Sequence, residues 1–271
     1  MNFIEKLEAA VAKSESLVCV GLDSDVAKLP AGVDQLAFNK AMVDATHDLV
    51  AAYKPNTAFY EAAGAEGVQV LKDTCDYIRA KAPGVLIILD AKRADIGNTN
   101  SGYVQFAYDY LEADAITLHP YLGGEALEPF LAREDKGAIV LCRTSNDGAA
   151  EFQDQIVGTK KVFEYVAETV ARDWNKNKNC MLVVGATYPE EAQAIREAVG
   201  DDMWFLVPGV GAQGGDVAKL MAAAQNSRGT GLLINSSRGV IFASNGPDFA
   251  EDARKATETL RSEINSYRKG K

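Results

Sequence analysis

The sequence predicts an α/β fold of the (β/α)8, or TIM-barrel, class, built as one domain over residues 1–271 with a helix ahead of the first strand. Three observations carry this expectation. Eight short apolar, β-branched runs recur from end to end, stretches of helical spacing alternate with them, and no Pro- or Ser-rich linker breaks the series. A doubly wound open sheet is the alternative arrangement of the same units.

Taken in order, Phe3, Leu7 and Val11 mark one face of the leading helix, and 17-LVCVGL is the first strand run. The runs 49-LVAAYK, 85-VLIILD, 114-DAITL, 137-GAIVLC, 181-MLVVGA, 203-MWFLV and 231-GLLIN follow, each about one βαβ unit from the last. Their near-continuous apolar character suits parallel strands buried on both faces. Between them, Val68, Leu71, Cys75 and Ile78, then Val162, Val166, Val170 and Trp174, then Val217, Leu220, Met221 and Ala224 recur at helical spacing. Phe249, Ala253, Ala256, Leu260 and Ile264 predict an amphipathic helix at the end.

Composition excludes several classes. With 47% hydrophobic and 24% charged residues the chain is neither disordered nor fibrous. A net charge of −10 argues against a nucleic-acid partner, though a few local cations can still hold a small phosphorylated ligand. The opening segment MNFIEKLEAAVAKSES has acidic residues and no apolar h-region, and no apolar run is long enough to span a bilayer, so the expected location is the cytoplasm with no membrane partner. Cys19, Cys75, Cys142 and Cys180 form no CxxC pair and read as reduced core residues.

In barrels of this class the chemistry lies at the C-terminal ends of the strands. Those ends carry Asp23, Lys54, Asp90 with Lys92, His119, Thr144 with Ser145, Gln213 and Arg238. Asp90 and Lys92 stand two apart, so strand geometry points both to the barrel mouth, with Asp95 in the following loop and Lys54 alternating from the second strand. A lysine between two carboxylates is held protonated and serves as an acid rather than a Schiff-base nucleophile. A purely structural ion-pair network is the alternative, but burying four charges only to tie strand ends is poorly rewarded. The glycine-rich 208-PGVGAQGG and 235-NSSRG, after strands seven and eight, together with Arg238 suit a phosphate. The whole points to metal-free chemistry on a phosphorylated small molecule. His119 and His47 read as structural.

These motifs resemble those of the orotidine 5′-phosphate decarboxylase family, in particular its longer bacterial subgroup. The segment 90-DAKRADIGNTN is similar to that family's D-x-K-x-x-D-I signature followed by a Thr. Likeness continues through 20-VGLDSD, 53-YKPNTAFYEAAGAEG, 117-TLHPYLGG, 141-LCRTSN, 206-LVPGVGAQGGD and 236-SSRG, with Ala94 and Asp147 as departures where the subgroup leads one to expect Gly and Pro. The resemblance implies that the bond broken is carbon–carbon, in the decarboxylation of orotidine 5′-monophosphate to uridine 5′-monophosphate, with no cofactor and no metal. It implies that Lys92 protonates C6, that Asp90 lies beside the departing carboxylate, and that Lys54 holds Asp90 and a ribose hydroxyl. Asp23 would bind the ribose, Ser145 the pyrimidine amide, and Gln213 with Arg238 the phosphate. Asp95 and Thr99 would reach the ligand of a neighbouring subunit, making the active unit a homodimer with shared sites.

Two rival readings differ in testable features. Related barrels such as 3-keto-L-gulonate 6-phosphate decarboxylase and hexulose 6-phosphate synthase share the D-x-K-x-x-D pattern but use Mg²⁺ with a Glu at the end of strand two, where this chain has Lys54. A non-catalytic nucleotide-binding barrel would have no reason to keep all four charges.

Overall fold

The computed structural model describes residues 1–210 and 214–270. Eight parallel strands close into a barrel in which each pairs with its neighbours in sequence and the last returns to the first. We number these barrel strands β1 (Val18–Leu22), β2 (Ala52–Pro55), β3 (Leu86–Arg93), β4 (Ala115–Leu118), β5 (Gly137–Arg143), β6 (Cys180–Val184), β7 (Trp204–Val207) and β8 (Leu232–Ser236). Closure is set by Val18 opposite Ile234 and Cys19 opposite Asn235. All eight predicted runs supply a strand, and β1, β2, β4, β6, β7 and β8 are buried at every residue.

The leading helix, Phe3–Ser14, starts on a capping box in which the Asn2 side chain accepts from the Glu5 N–H and Glu5 accepts from the Asn2 N–H. Its buried face is the predicted stripe of Phe3, Leu7 and Val11, joined by Ala10. Phe3 presses against Gly137 at the start of β5, where an added Cβ would meet the ring at 2.5 Å, so only glycine admits the helix this close. The final helix, Phe249–Ser266, buries Ala253, Thr257 and Ile264. Among the described residues no helix is long and apolar enough to cross a membrane. All four cysteines are buried and free, and burial pushes the thiols of Cys19, Cys75 and Cys180 up to about 12.

Three departures from simple periodicity bear on the site. The predicted helix through Val170 and Trp174 is α-helical only over Val162–Thr169 and continues as a π-helical turn, Val170–Trp174. Between β5 and that helix the chain makes an excursion: a 3-10 turn (Asp147–Ala149), a short helix (Ala150–Gln153) and an antiparallel hairpin pairing Ile156–Val157 with Lys160–Lys161. Finally, the β3–β4 register shifts between Leu89 and Arg93, and Lys92 takes a left-handed φ of 47°. The end of β3 is therefore a bulge, not the regular period-two strand that the sequence suggests.

Candidate active site

A cavity of about 510 Å³ opens at the C-terminal ends of the strands. Its floor is a row of alternating charges drawn from three adjacent strands. Lys54 Nζ lies 3.9 Å from Asp23 Oδ1 and donates to Asp90 Oδ2 at 2.8 Å. Lys92 Nζ donates to Asp90 Oδ1 at 2.7 Å. Asp90 and Lys92 thus meet as expected, but through the bulge: the backbone N–H groups of Ala91 and Lys92 both donate to Thr117 Oγ1 on β4, at 3.0 and 2.9 Å. Thr117 in turn donates to Asp90 Oδ1 at 2.9 Å, so one hydroxyl holds both the bulge and the carboxylate. A non-glycine residue in the left-handed region is strained, and such strain collects at functional positions.

Burial differs along the row. The side chains of Lys54 and Asp90 are 5% and 10% exposed, whereas that of Lys92 is 50% exposed and faces the cavity as its reachable cation. Burial alone would raise the Asp90 carboxyl, but the charges of Lys54 and Lys92 outweigh it and hold the group well below the usual carboxylate range. Burial alone would lower the Lys54 ammonium, and Asp90 and Asp23 outweigh it and hold it above the usual lysine value. Asp23 Oδ1 and Asn235 Oδ1 are buried acceptors without a hydrogen-bond donor among the described residues. Both residues line the cavity.

Leu141, Val183, Leu206 and Val210 give the wall an apolar part, which suits the face of a flat ring. Thr144, Ser145, Asn146 and Arg238 add polar groups to the lining. Gly209 and Gly214 have φ of 98° and 80°, so these two glycines answer first to the backbone of the loop after β7. Gln213 lies outside the described residues. Within one chain Asp95 and Thr99 do not line this cavity. Asp95 sits in the turn after β3 with its Oδ1 accepting from the Ile96 N–H at 2.7 Å, and Thr99 is exposed on the helix Gly97–Val104. Among the described residues Lys92 consequently has one carboxylate partner in its own chain, not two.

His119 is also absent from the cavity wall, and its Nδ1 accepts from the Tyr121 N–H at 3.3 Å, the structural bond expected of it. Polar lining residues left out of the strand-end series include Thr117, Asn235 and Gln153. Thr117 and Asn235 were visible as polar residues inside buried apolar runs, whereas Gln153 comes from the excursion after β5 and has no periodic signal. Among the described residues no group of three or more His, Cys, Asp or Glu side chains is placed to hold a metal ion.

Fold and site define a barrel enzyme whose cavity floor carries a row of alternating charges. Residues 16–253 match the family described as Orotidine 5'-phosphate decarboxylase / HUMPS family, and the chain belongs to it. It is 50% identical over 275 residues to "Orotidine 5'-phosphate decarboxylase" of Cellvibrio japonicus, covering 99% of this chain and 100% of that one. It is 47% identical to the protein of the same name from Azoarcus sp., again over 99% and 100% of the two chains. The solved structure of Leishmania donovani OMP decarboxylase superposes with a TM-score of 0.85 at 38% identity, over 98% of each chain.

Proposed function

We infer that the protein is an orotidine 5′-phosphate decarboxylase, a carboxy-lyase of pyrimidine biosynthesis that converts orotidine 5′-monophosphate to uridine 5′-monophosphate and CO₂. The observation that carries this reading is the Asp23–Lys54–Asp90–Lys92 row, in a chain whose full-length relatives bear that name. When the bond from C6 to the carboxylate breaks, CO₂ leaves and the electron pair stays on C6, with no adjacent carbonyl to delocalise it. Lys92 stands as a fixed cation where this charge develops, then transfers its proton to C6 and regains one from solvent. Asp90 lies beside the departing carboxylate and fixes the Lys92 ammonium, while Lys54 fixes Asp90 and reaches a ribose hydroxyl. Asp23 binds the ribose, Ser145 the pyrimidine amide, and Arg238 with Gln213 the phosphate.

The chemistry in this reading needs neither metal nor organic cofactor, and the cation Lys54 at the end of β2 would repel a metal from the place where the Mg²⁺-dependent relatives carry a carboxylate. The chain acts as one domain, in the cytoplasm, as a homodimer in which Asp95 and Thr99 complete the partner's site. Support for the dimer comes from Ile96, Tyr121 and Leu122, apolar side chains 62%, 90% and 43% exposed on the neighbouring loops after β3 and β4. The test is decarboxylation of orotidine monophosphate, followed by absorbance, with and without EDTA. Activity should be unchanged by the chelator and abolished in Lys92→Ala; loss with EDTA and recovery with Mg²⁺ would refute the reading.

A further inference from the structure

The segment Thr144–Asn146 directly follows β5 and lines the cavity, and its position is over-determined from two sides. On one side, an added Cβ at Gly185 would lie 3.0 Å from Ser145 N and Cα, so the Ser145 backbone rests directly on the chain after β6. On the other, Gln153 Oε1 accepts from the Thr144 N–H at 2.9 Å and Gln153 Nε2 donates to Thr144 Oγ1 at 2.8 Å. Thr144 Oγ1 then donates to Asn146 Oδ1 at 2.7 Å, which extends the same restraint across Ser145.

Gln153 is itself backed by a buried cation. Arg143 is 1% exposed, with Nη1 3.4 Å from both Gln153 Oε1 and Thr144 O, and Nη2 3.6 Å from Asp154 Oδ2. Its guanidinium lies 3.9 Å from the centre of the Tyr188 ring. Gln153 closes the short helix Ala150–Gln153, so the excursion after β5 returns a side chain to the strand end it left. Although Gln153 lines the cavity, both of its polar atoms are engaged by Thr144.

We propose that Gln153 is a positioning residue that sets Ser145 against the ring of the ligand, with Arg143 and Asp154 as its anchor. This rests on the reading that Ser145 meets the pyrimidine. Removing the Gln153 amide frees the Thr144 N–H and hydroxyl and lets the segment move, and the loss should fall on ligands that possess the ring.

The experiment titrates uridine monophosphate and ribose 5-phosphate into wild type, Gln153→Ala, Ser145→Ala and the double variant. Gln153→Ala should weaken the nucleotide about tenfold and leave ribose 5-phosphate within about twofold, since its phosphate and ribose contacts are untouched. In the Ser145→Ala background the further effect of Gln153→Ala should nearly vanish, because the residue acts through Ser145. Gln153→Glu keeps an acceptor for the Thr144 N–H and should retain most of the ring-dependent affinity. If Ser145→Ala leaves the nucleotide's advantage over ribose 5-phosphate intact, the contact between Ser145 and the ring is wrong. If Ser145→Ala reduces that advantage while Gln153→Ala does not, or the two effects multiply, the positioning role is overturned. Equal loss of both ligands in Gln153→Ala and in Gln153→Glu overturns it too.

Discussion

Replacing Lys54 by methionine keeps most of the side-chain volume and removes the charge between Asp23 and Asp90. At an effective dielectric of about 20, unit charges at the observed 2.8 and 3.9 Å attract by about 6 and about 4 kcal/mol. Much of this is offset by the several kcal/mol needed to take an ammonium out of water. The cost of the substitution is therefore governed by what is left behind: a buried Asp90 carboxylate without its buried partner, a situation worth about 3–5 kcal/mol. Lys92 at 2.7 Å and Thr117 at 2.9 Å still serve that carboxylate, which places the loss near the lower end, about 3 kcal/mol. For a large domain this lowers Tm by roughly 6–12 °C.

The pH dependence follows from the two shifts. Asp90 is depressed in the native protein, so it contributes stability above the unfolded-state pKa of about 4, and that contribution is lost as pH falls through the folded value. Lys54 is raised, so its contribution is complete below the unfolded lysine value and is lost only as pH rises through the folded one. Without Lys54, Lys92 alone opposes burial at Asp90 and its folded pKa climbs, so protonation costs the variant less as pH falls. The gap between wild type and Lys54→Met should be widest near neutrality and narrow towards pH 4, measured as Tm by scanning calorimetry. A shift below about 2 °C at pH 7, or an equal shift at both pH values, would show that the row does not bear on stability in this way.

Arg238→Ala should weaken phosphorylated ligands by about tenfold or more while leaving the unphosphorylated nucleoside nearly unchanged, and equal losses in a binding titration would put the phosphate elsewhere. Mixing inactive Lys92→Ala with inactive Asp95→Ala should restore about a quarter of wild-type decarboxylation, since about half of randomly exchanged dimers are mixed and each has one intact site of two. Confirmed subunit exchange without recovered activity would assign Asp95 to its own chain's site.

What was legible in the sequence followed from burial on both faces. Each barrel strand is built on a short, mostly apolar run, and the leading helix shows its stripe at Phe3, Leu7 and Val11 because one face packs on the barrel. The charged row was legible because ionisable residues directly follow such runs. The bulge at Lys92 was not, since a bulge is a property of the β3–β4 pairing and of the Thr117 hydroxyl that caps it, neither of which has a local signature at Lys92. Gln153 was hidden for a related reason: it reaches the cavity through an irregular excursion whose path depends on the buried Arg143, and irregular chain carries no period to read. The inference that Lys92 sits between two carboxylates treated sequence proximity to Asp95 as spatial proximity, and the turn at Asp95–Gly97 leads that side chain out of the chain's own cavity.

The order of the lining residues along the chain divides the enzyme into two halves. Asp23, Lys54, Asp90, Lys92 and Thr117 all come from β1 to β4 or their ends, whereas Leu141, Ser145, Val183, Leu206, Asn235 and Arg238 all come from β5 to β8 or theirs. On the proposed function the first half holds the proton, the charges beside the breaking bond and the ribose contacts, and the second meets the ring and the phosphate. Changes in ring size, ring substituents or anchoring group can thus be answered by altering the second half alone, leaving the reacting charges undisturbed. A half-barrel exchange between relatives, joined between Leu118 and Gly137, would transfer ligand preference while keeping the chemistry of the first four strands.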